Sequence, residues 1–133
     1  MASIFSKIAK GEIPCHKVAE SDKYLAFLDI NPLVKGHLLV IPKEETDYFF
    51  DLNDAAIAEI MVFARKVACA LKKTFPERRV GVAVVGFDVP HAHVHLVPML
   101  DVKDMDFNRP RLNLSTEEFQ TIARTIADNM IDC

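Results

Sequence analysis

Histidines alternate with apolar residues in the segment His91-Ala92-His93-Val94-His95. Because strand side chains point alternately to the two faces of a sheet, we predict a β-strand over residues 91–97 with the three histidines on one face. The other face is apolar and is expected to pack against a core. The chain therefore needs a sheet with one apolar face and, opposite it, space for a row of imidazoles about 13 Å long.

The remaining sequence predicts four further strands and two substantial helices. Short strands are expected at residues 16–20 and 24–29, an apolar strand covered on both faces at 37–41, and a central strand at 80–85. Apolar residues at helical spacing predict a long helix around residues 57–71, and the capping box from Ser115 to Glu118 begins a C-terminal helix. Ser3 is placed to cap a short N-terminal helical turn.

These elements predict a single domain over residues 1–133 with an α+β fold. We expect an antiparallel β-sheet of about five strands, a long central helix and a C-terminal helix, with the helices on one face of the sheet.

Composition narrows the functional classes. The chain has 133 residues, a formal net charge of −3 and 50% hydrophobic residues. We therefore expect a globular protein that binds neither nucleic acid nor membranes. The N-terminal segment is too polar for a signal peptide, which predicts a cytoplasmic location.

The three cysteines lack Cys-x-x-Cys spacing. Neither a disulfide framework nor a cysteine zinc site is therefore expected, and Cys69 is predicted to be a buried thiol.

The residues alone leave three interpretations of the histidine row. It can be a solvated polar face without chemistry, a His-x-His metal site with Asp88 as the nearest further ligand, or a site that reacts with phosphate. The third is favoured, because neutral imidazole is nucleophilic near neutral pH and its phosphoramidate is labile enough to hydrolyse. Neighbouring imidazoles can stabilise the phosphate oxygens and protonate the leaving group, so no metal or cofactor is required.

The motif HAHVHLV resembles that of the histidine triad (HIT) superfamily, and the segments IFSKIAKGEIP and LAFLDINPLVKGHLLVIPK extend the resemblance over roughly residues 3–98. The branch it resembles comprises nucleotide-binding hydrolases, including nucleoside phosphoramidases and dinucleoside polyphosphate hydrolases. The resemblance implies that His93 attacks phosphorus to form a nucleotidyl-histidine. It further implies that His95 contacts the phosphate and leaving group, that His91 supports the row, and that His37 orients the nucleophile.

The same resemblance implies a ligand and an assembly. Asp29 matches a carboxylate that accepts the ribose hydroxyls of a purine nucleotide such as AMP. A pocket for the base is implied at five positions that suit core packing equally well, namely Ile4, Phe5, Ile8, Phe27 and Ile30. Proteins of this family form homodimers that pair helices and join two sheets, so a homodimer is expected.

Two departures from the family pattern bear on the site. Some members carry a zinc site that begins with Cys-x-x-Cys, whereas this chain has Ser3, Ser6 and Glu45 at the matching positions, so structural zinc is not expected. Typical members also have a longer, glycine-rich loop with a glutamine before the histidines, where this chain has Phe87. The adjacent Asp88 brings a negative charge to this nucleotide-binding loop, which disfavours an anionic phosphate unless the charge points away or pairs with a cation.

The sequence thus predicts a HIT-family nucleotide hydrolase. It is expected to cleave a nucleoside monophosphate from a phosphoramidate or a related phosphoanhydride or ester, through a nucleotidyl-histidine intermediate. One alternative is a nucleotide-binding or scaffolding homodimer with weak or no catalysis, which Phe87 and Asp88 favour. Another is a metal-dependent hydrolase.

Overall fold

The computed structural model describes residues 2–133. Its strands are β1 (Lys17–Glu20), β2 (Tyr24–Leu28), β3 (Leu38–Pro42), β4 (Arg79–Ala83) and β5 (Val94–Met99), and its helices are α1 (Ile4–Ala9), α2 (Asp54–Thr74) and α3 (Thr116–Asn129). The strands form one antiparallel sheet in the order β1-β2-β3-β5-β4. The predicted α+β fold is confirmed.

A polar side chain caps the start of each α-helix, and at Ser3 and Ser115 the cap is the one that the sequence predicts. The Ser3 hydroxyl accepts a hydrogen bond from the Ser6 amide at the start of α1, and the Asn53 side chain does the same for Ala56 in α2. Ser115 and Glu118 form a reciprocal capping box at α3. Each cap satisfies backbone donors that have no partner inside the helix, typically stabilising it by about 1 kcal/mol.

The sheet is covered on both faces, by different helices. Helices α2 and α3 pack on the face that includes Val40, Val94 and Leu96. The opposite face carries Leu39 and Ile41 of β3, against which Phe5 of α1 packs. Since β3 supplies apolar side chains to both layers, all five of its residues are buried, as its apolar run predicts. The two long helices thus share one face, and the short α1 lies on the other.

Strand β5 begins later than predicted and ends later as well. It starts at Val94, so His91 and His93 precede it, and it continues through Pro98 to Met99. Pairing with β3 ends at Leu96, while Pro98 lies opposite Val80 of β4. A proline cannot donate a ladder hydrogen bond, and it is tolerated here because β5 has lost one of its two neighbours at that point.

Strand β4 is an edge strand, so the prediction of a central strand at residues 80–85 is wrong. The apolar, β-branched composition that suggested a central position reports a preference for a pleated surface and does not distinguish edge from centre. The strand extends only to Ala83, and Val82, Val84 and Val85 are exposed.

Cys69 forms a disulfide with Cys133, which corrects the prediction of a buried free thiol. The two Cα atoms are 6.0 Å apart although the residues are 64 positions apart in the sequence. Spacing could not indicate this pair, because the contact depends on how the end of the chain returns to α2. Cys15 is the free cysteine. None of the helices within residues 2–133 combines the length and apolar character needed to cross a bilayer.

Candidate active site

The histidine row lies on the α1 face of the sheet. His95 is opposite Leu39 in the ladder between β3 and β5, while His91 and His93 lie in the segment leading into β5. The rings of His93 and His95 are 4.9 Å apart between centroids, and Phe5 of α1 packs edge-on at 5.1 Å from His93. Together with His37, these histidines are almost completely buried, so their protonation depends on protein partners.

His37 sets the tautomer of His95. The backbone amide of Leu33 donates to Nδ1 of His37 at 3.0 Å, so that nitrogen carries no proton and Nε2 does. Nε2 of His37 then donates to Nδ1 of His95 at 2.9 Å. Burial lowers the pKa of His37 to about 3 and that of His95 to about 4, so both rings are neutral at pH 7. The proton of His95 must therefore lie on Nε2, which makes that atom a hydrogen-bond donor.

His91 is held between the end of β3 and the start of α1. Its Nε2 donates to the carbonyl oxygen of Pro42 at 2.8 Å, and its Nδ1 accepts from the Ser3 hydroxyl at 2.8 Å. Burial lowers the pKa of His91 as well. The ring thus joins the β3 and α1 segments, and the backbone carbonyl of His91 accepts a hydrogen bond from His93.

Both ring nitrogens of His93 face oxygen acceptors. Nδ1 donates to the carbonyl oxygen of His91 at 2.7 Å, and Nε2 lies 3.1 Å from Oδ1 of Asp88. A proton must lie between Nε2 and the carboxylate, because a bare nitrogen lone pair facing a bare carboxylate would be repulsive. Asp88 and His93 therefore share a proton, which compensates the negative charge that the sequence identified as unfavourable.

The positions that match a family zinc site do not fit that metal. Ser3 and Ser6 offer hydroxyls instead of thiolates, and the Ser3 hydroxyl is already hydrogen-bonded to His91. Oε1 of Glu45 accepts hydrogen bonds from the Ser3 amide and the Ser6 hydroxyl, which lower the pKa of Glu45 to about 2. A hydrogen-bonded cluster thus connects α1 to His91 where a metal would connect them.

Two groups in the described part of the chain place three potential metal-binding atoms within 4.8 Å of one another, and both include His95. They are Asp29 with His37 and His95, and Asp88 with His93 and His95. Nδ1 of His95 is an acceptor for His37, and Nε2 holds the proton. Neither nitrogen is free to bind a metal without breaking the hydrogen bonds that end at Leu33, so the arrangement disfavours a metal-dependent mechanism.

Asp29 lies at the edge of the row, next to residues that the sequence did not identify. Its Oδ1 accepts from the Asn31 amide at 2.8 Å, and its Oδ2 lies 3.7 Å from Nε2 of His37 and 4.0 Å from Arg111. Burial raises the pKa of Asp29, while the Asn31 amide and Arg111 oppose that shift. One face of this carboxylate is thus fixed by the protein.

Phe107 and Arg111 cover the site from the loop that follows β5. The Phe107 ring is 4.8 Å from His95 between centroids, and the Arg111 guanidinium lies over the Phe107 ring at 5.7 Å. Arg111 also donates to the carbonyl oxygen of Asn31 at 2.7 Å. The one available signal in the sequence was Phe107 itself, the single aromatic residue between positions 101 and 111.

The residues expected around a base are divided between interior and surface. Phe5 and Phe27 are buried together, with rings 5.6 Å apart, and Ile8 packs against their cluster. Ile4 and Ile30 are exposed, and Phe87 is 94% exposed. The buried members serve the core, and the exposed ones are free to contact a ligand.

Comparison with known proteins agrees with the fold and the motif. Residues 10–101 match the HIT domain family. Adenosine 5'-monophosphoramidase hnt1 of Schizosaccharomyces pombe is 35% identical over 98% of this chain and 99% of its own length. An uncharacterized HIT-like protein of Borreliella burgdorferi is 36% identical over 96% and 97%. A HIT-like protein from Bartonella henselae, solved by crystallography with an unknown ligand, has a TM-score of 0.82 at 29% identity, covering 96% of this chain and 95% of that one.

Proposed function

Since this chain belongs to the HIT domain family, we propose that it is a nucleotide hydrolase that cleaves a nucleoside monophosphate from a phosphoramidate, or from a related phosphoanhydride or ester. The reaction proceeds through a nucleotidyl group on His93. The relative from Schizosaccharomyces pombe is named an adenosine 5'-monophosphoramidase, which supports a phosphoramidate of AMP as the first substrate to try.

The observation that carries this proposal is the proton arrangement of the row. Nδ1 of His93 is held by the His91 carbonyl oxygen, so Nε2 is the atom available for attack once its proton leaves. Nε2 of His95 carries a proton because His37 occupies Nδ1. A nucleophile and a hydrogen-bond donor thus lie on adjacent rings, and the donor can stabilise charge on a phosphate oxygen.

Asp29 and the exposed apolar residues supply the nucleotide contacts of the proposal. The carboxylate is anchored on one side by Asn31 and leaves acceptor capacity for ribose hydroxyls. Ile4 and Ile30, which are exposed, are proposed to contact the base.

The exposed edge of β4 supports a homodimer. Unpaired edge strands invite pairing with another chain, and Val82, Val84 and Val85 give this edge an apolar surface. A second copy joined there would extend the sheet. A cytoplasmic location stays a prediction, and the Cys69–Cys133 disulfide is unusual for a reducing compartment.

Mass spectrometry of the protein mixed with an adenosine phosphoramidate tests the function. We expect an adduct of one nucleoside monophosphate on His93 in acid-quenched samples and none in His93→Ala. His16→Ala is the matched control, because His16 stacks on Phe119 across the sheet from the site. Tight nucleotide binding by calorimetry without adduct or turnover would instead favour the scaffolding alternative, for which the burial of His93 and His95 is the supporting observation.

A further inference from the structure

We propose that Asp88 is the catalytic acid and base of this reaction, protonating the leaving group in the first step and activating water in the second. The proposal rests on the proposed role of His93 as nucleophile and names the group that manages its proton.

The position of Asp88 relative to His93 supports this role. Oδ1 lies 3.1 Å from Nε2 along a direction that satisfies a ring hydrogen bond, so the carboxylate lies close to the axis of the nitrogen lone pair. Attack at phosphorus uses the same axis, with nucleophile and leaving group roughly in line. A substrate phosphorus that approaches to roughly 3 Å from Nε2 must displace the carboxylate outward, to the side from which the leaving group departs.

The loop that carries Asp88 has room for this displacement. The Asp88 side chain is 62% exposed whereas that of His93 is fully buried, so Asp88 lies between the nucleophile and solvent. Gly86, two residues earlier, has a φ of +90° and no atom within 4 Å of the position of a Cβ. A modest rotation of the loop therefore meets no packed neighbour at that point.

His95 is the competing candidate for the acid, and its surroundings argue against it. Its proton on Nε2 is backed by His37, whose own Nδ1 accepts from the Leu33 amide. That sequence of hydrogen bonds ends on a backbone group that cannot supply or remove a proton. His95 is buried as well, so it serves as a donor to phosphate oxygens, while Asp88 can exchange protons with water and with the leaving group.

The protons balance over the two steps. Substrate entry transfers the shared proton to Asp88, and neutral His93 attacks phosphorus through Nε2. The bond from phosphorus to the leaving nitrogen breaks, that nitrogen takes the proton from Asp88, and the amine departs. Water then attacks phosphorus and gives a proton to the Asp88 carboxylate as the bond from phosphorus to His93 breaks. The nucleoside monophosphate leaves, and the proton between Asp88 and His93 is restored.

Two substrates with different leaving groups test the proposal in Asp88→Asn. An alkylamine phosphoramidate of AMP needs a proton on its leaving nitrogen, whereas the 4-nitrophenyl ester of AMP releases a stable anion. For the amine we expect turnover to fall about 100-fold or more, in the range of general acid–base catalysis. For the ester we expect a rapid burst of one 4-nitrophenolate per chain, followed by slow turnover, because the nucleotidyl-histidine accumulates without its base.

The matched control is Asp22→Asn, an exposed aspartate in the turn between β1 and β2, which should behave as wild type with both substrates. The proposal is overturned if Asp88→Asn retains turnover of the phosphoramidate. It is also overturned if turnover of the two substrates falls equally and the ester shows no burst. Failure of the proposed function has a different signature, namely no His93 adduct and no turnover by the unaltered protein with either substrate.

Discussion

Nε2 of His37 lies 2.9 Å from Nδ1 of His95, and this single contact determines which nitrogen of His95 carries a proton. His37 is the donor in this contact, because the Leu33 amide donates to its other nitrogen and the ring proton must therefore lie on Nε2. The Leu33 amide thus determines the tautomer of a side chain in the candidate active site, through the His37 ring between them. The arrangement works only while both imidazoles are neutral, a condition that their burial favours.

Replacing His37 with alanine is expected to lower kcat about 10- to 100-fold with a small change in KM, as when a group that orients a reactive residue is removed. His95 would lose the donor that selects its tautomer. His37→Gln should retain more activity, because the glutamine amide can still donate to His95. Steady-state kinetics on a phosphoramidate measures both, with His16→Gln as control. A normal kcat in His37→Ala would show that the contact is dispensable.

Acidification is expected to destabilise the protein well before its carboxylates are all protonated. The folded-state pKa values of His37, about 3, and His95, about 4, lie below the unfolded value near 6.5. The unfolded chain therefore binds more protons, and the free energy of unfolding falls as pH falls from about 7 towards 4. The loss is on the order of 1 to 2 kcal/mol per histidine at pH 5.

Urea unfolding at pH 7.5, 6 and 5 measures this loss, and His37→Gln should show a shallower dependence on pH than the unaltered protein. Equal slopes for the two proteins would assign the acid sensitivity to other groups.

Ser3→Ala is expected to affect both stability and catalysis. The Ser3 hydroxyl caps α1 and donates to His91, so its loss should lower the free energy of unfolding by about 1 to 2 kcal/mol. A decrease in kcat should accompany this, because the carbonyl oxygen of His91 holds His93. Ser115→Ala removes a comparable cap from α3, so it should lower the free energy of unfolding without changing kcat. If both variants leave kcat unchanged, the α1 cluster has only a structural role.

Arg111→Ala is expected to raise the KM for a nucleotide substrate about 3- to 10-fold, which is on the order of 1 kcal/mol for a partly exposed charge. Arg111 holds the loop to Asn31 and opposes the raised pKa of Asp29, so its loss should weaken the proposed ribose contact. The KM of Arg111→Lys should lie between those of the unaltered protein and Arg111→Ala, since lysine keeps the charge but not the planar contact with Phe107. Arg124→Ala on the exposed face of α3 is the control, and an unchanged KM in Arg111→Ala would contradict the role.

Reduction of the Cys69–Cys133 disulfide is expected to lower the free energy of unfolding by up to about 4 kcal/mol, from the loop entropy that it removes from the unfolded chain. Cys133→Ser should reproduce the effect and be insensitive to reductant, while Cys15→Ser should behave as the unaltered protein. Thermal unfolding with and without dithiothreitol gives the comparison. A Tm that does not change on reduction would mean that the unfolded chain gains little freedom.

Local patterns predicted the parts of this fold that depend on neighbouring residues. The caps at Ser3 and Ser115, the helices they begin and the buried run of β3 all follow from residues within one turn or one strand. Three other features depend on which distant segments contact one another: the edge position of β4, the continuation of β5 through Pro98 and the disulfide. The spacing of residues along the chain cannot predict those contacts.

The same division applies to the site. The row of histidines could be identified from its alternation, and the resemblance to the family separated His93 from its neighbours. The hydrogen bond from Ser3 to His91 joins residues 88 positions apart, and the cover formed by Phe107 and Arg111 depends on a loop returning over β5. Asp88 was visible in the sequence as a charge, but its partner became known only from the geometry.

The Cys69–Cys133 link closes a covalent ring around the part of the chain that carries His93, the proposed nucleophile, while Asp29 and His37 lie outside that ring. A protease that cuts the chain once between these cysteines, for instance in the exposed loop near Arg111, therefore produces two fragments that stay joined. Such a nicked protein would migrate as one species on a non-reducing gel and separate only after reduction. A single band on a non-reducing gel is thus no proof that the backbone around the candidate active site is unbroken, whereas the water added at the cut raises the intact mass.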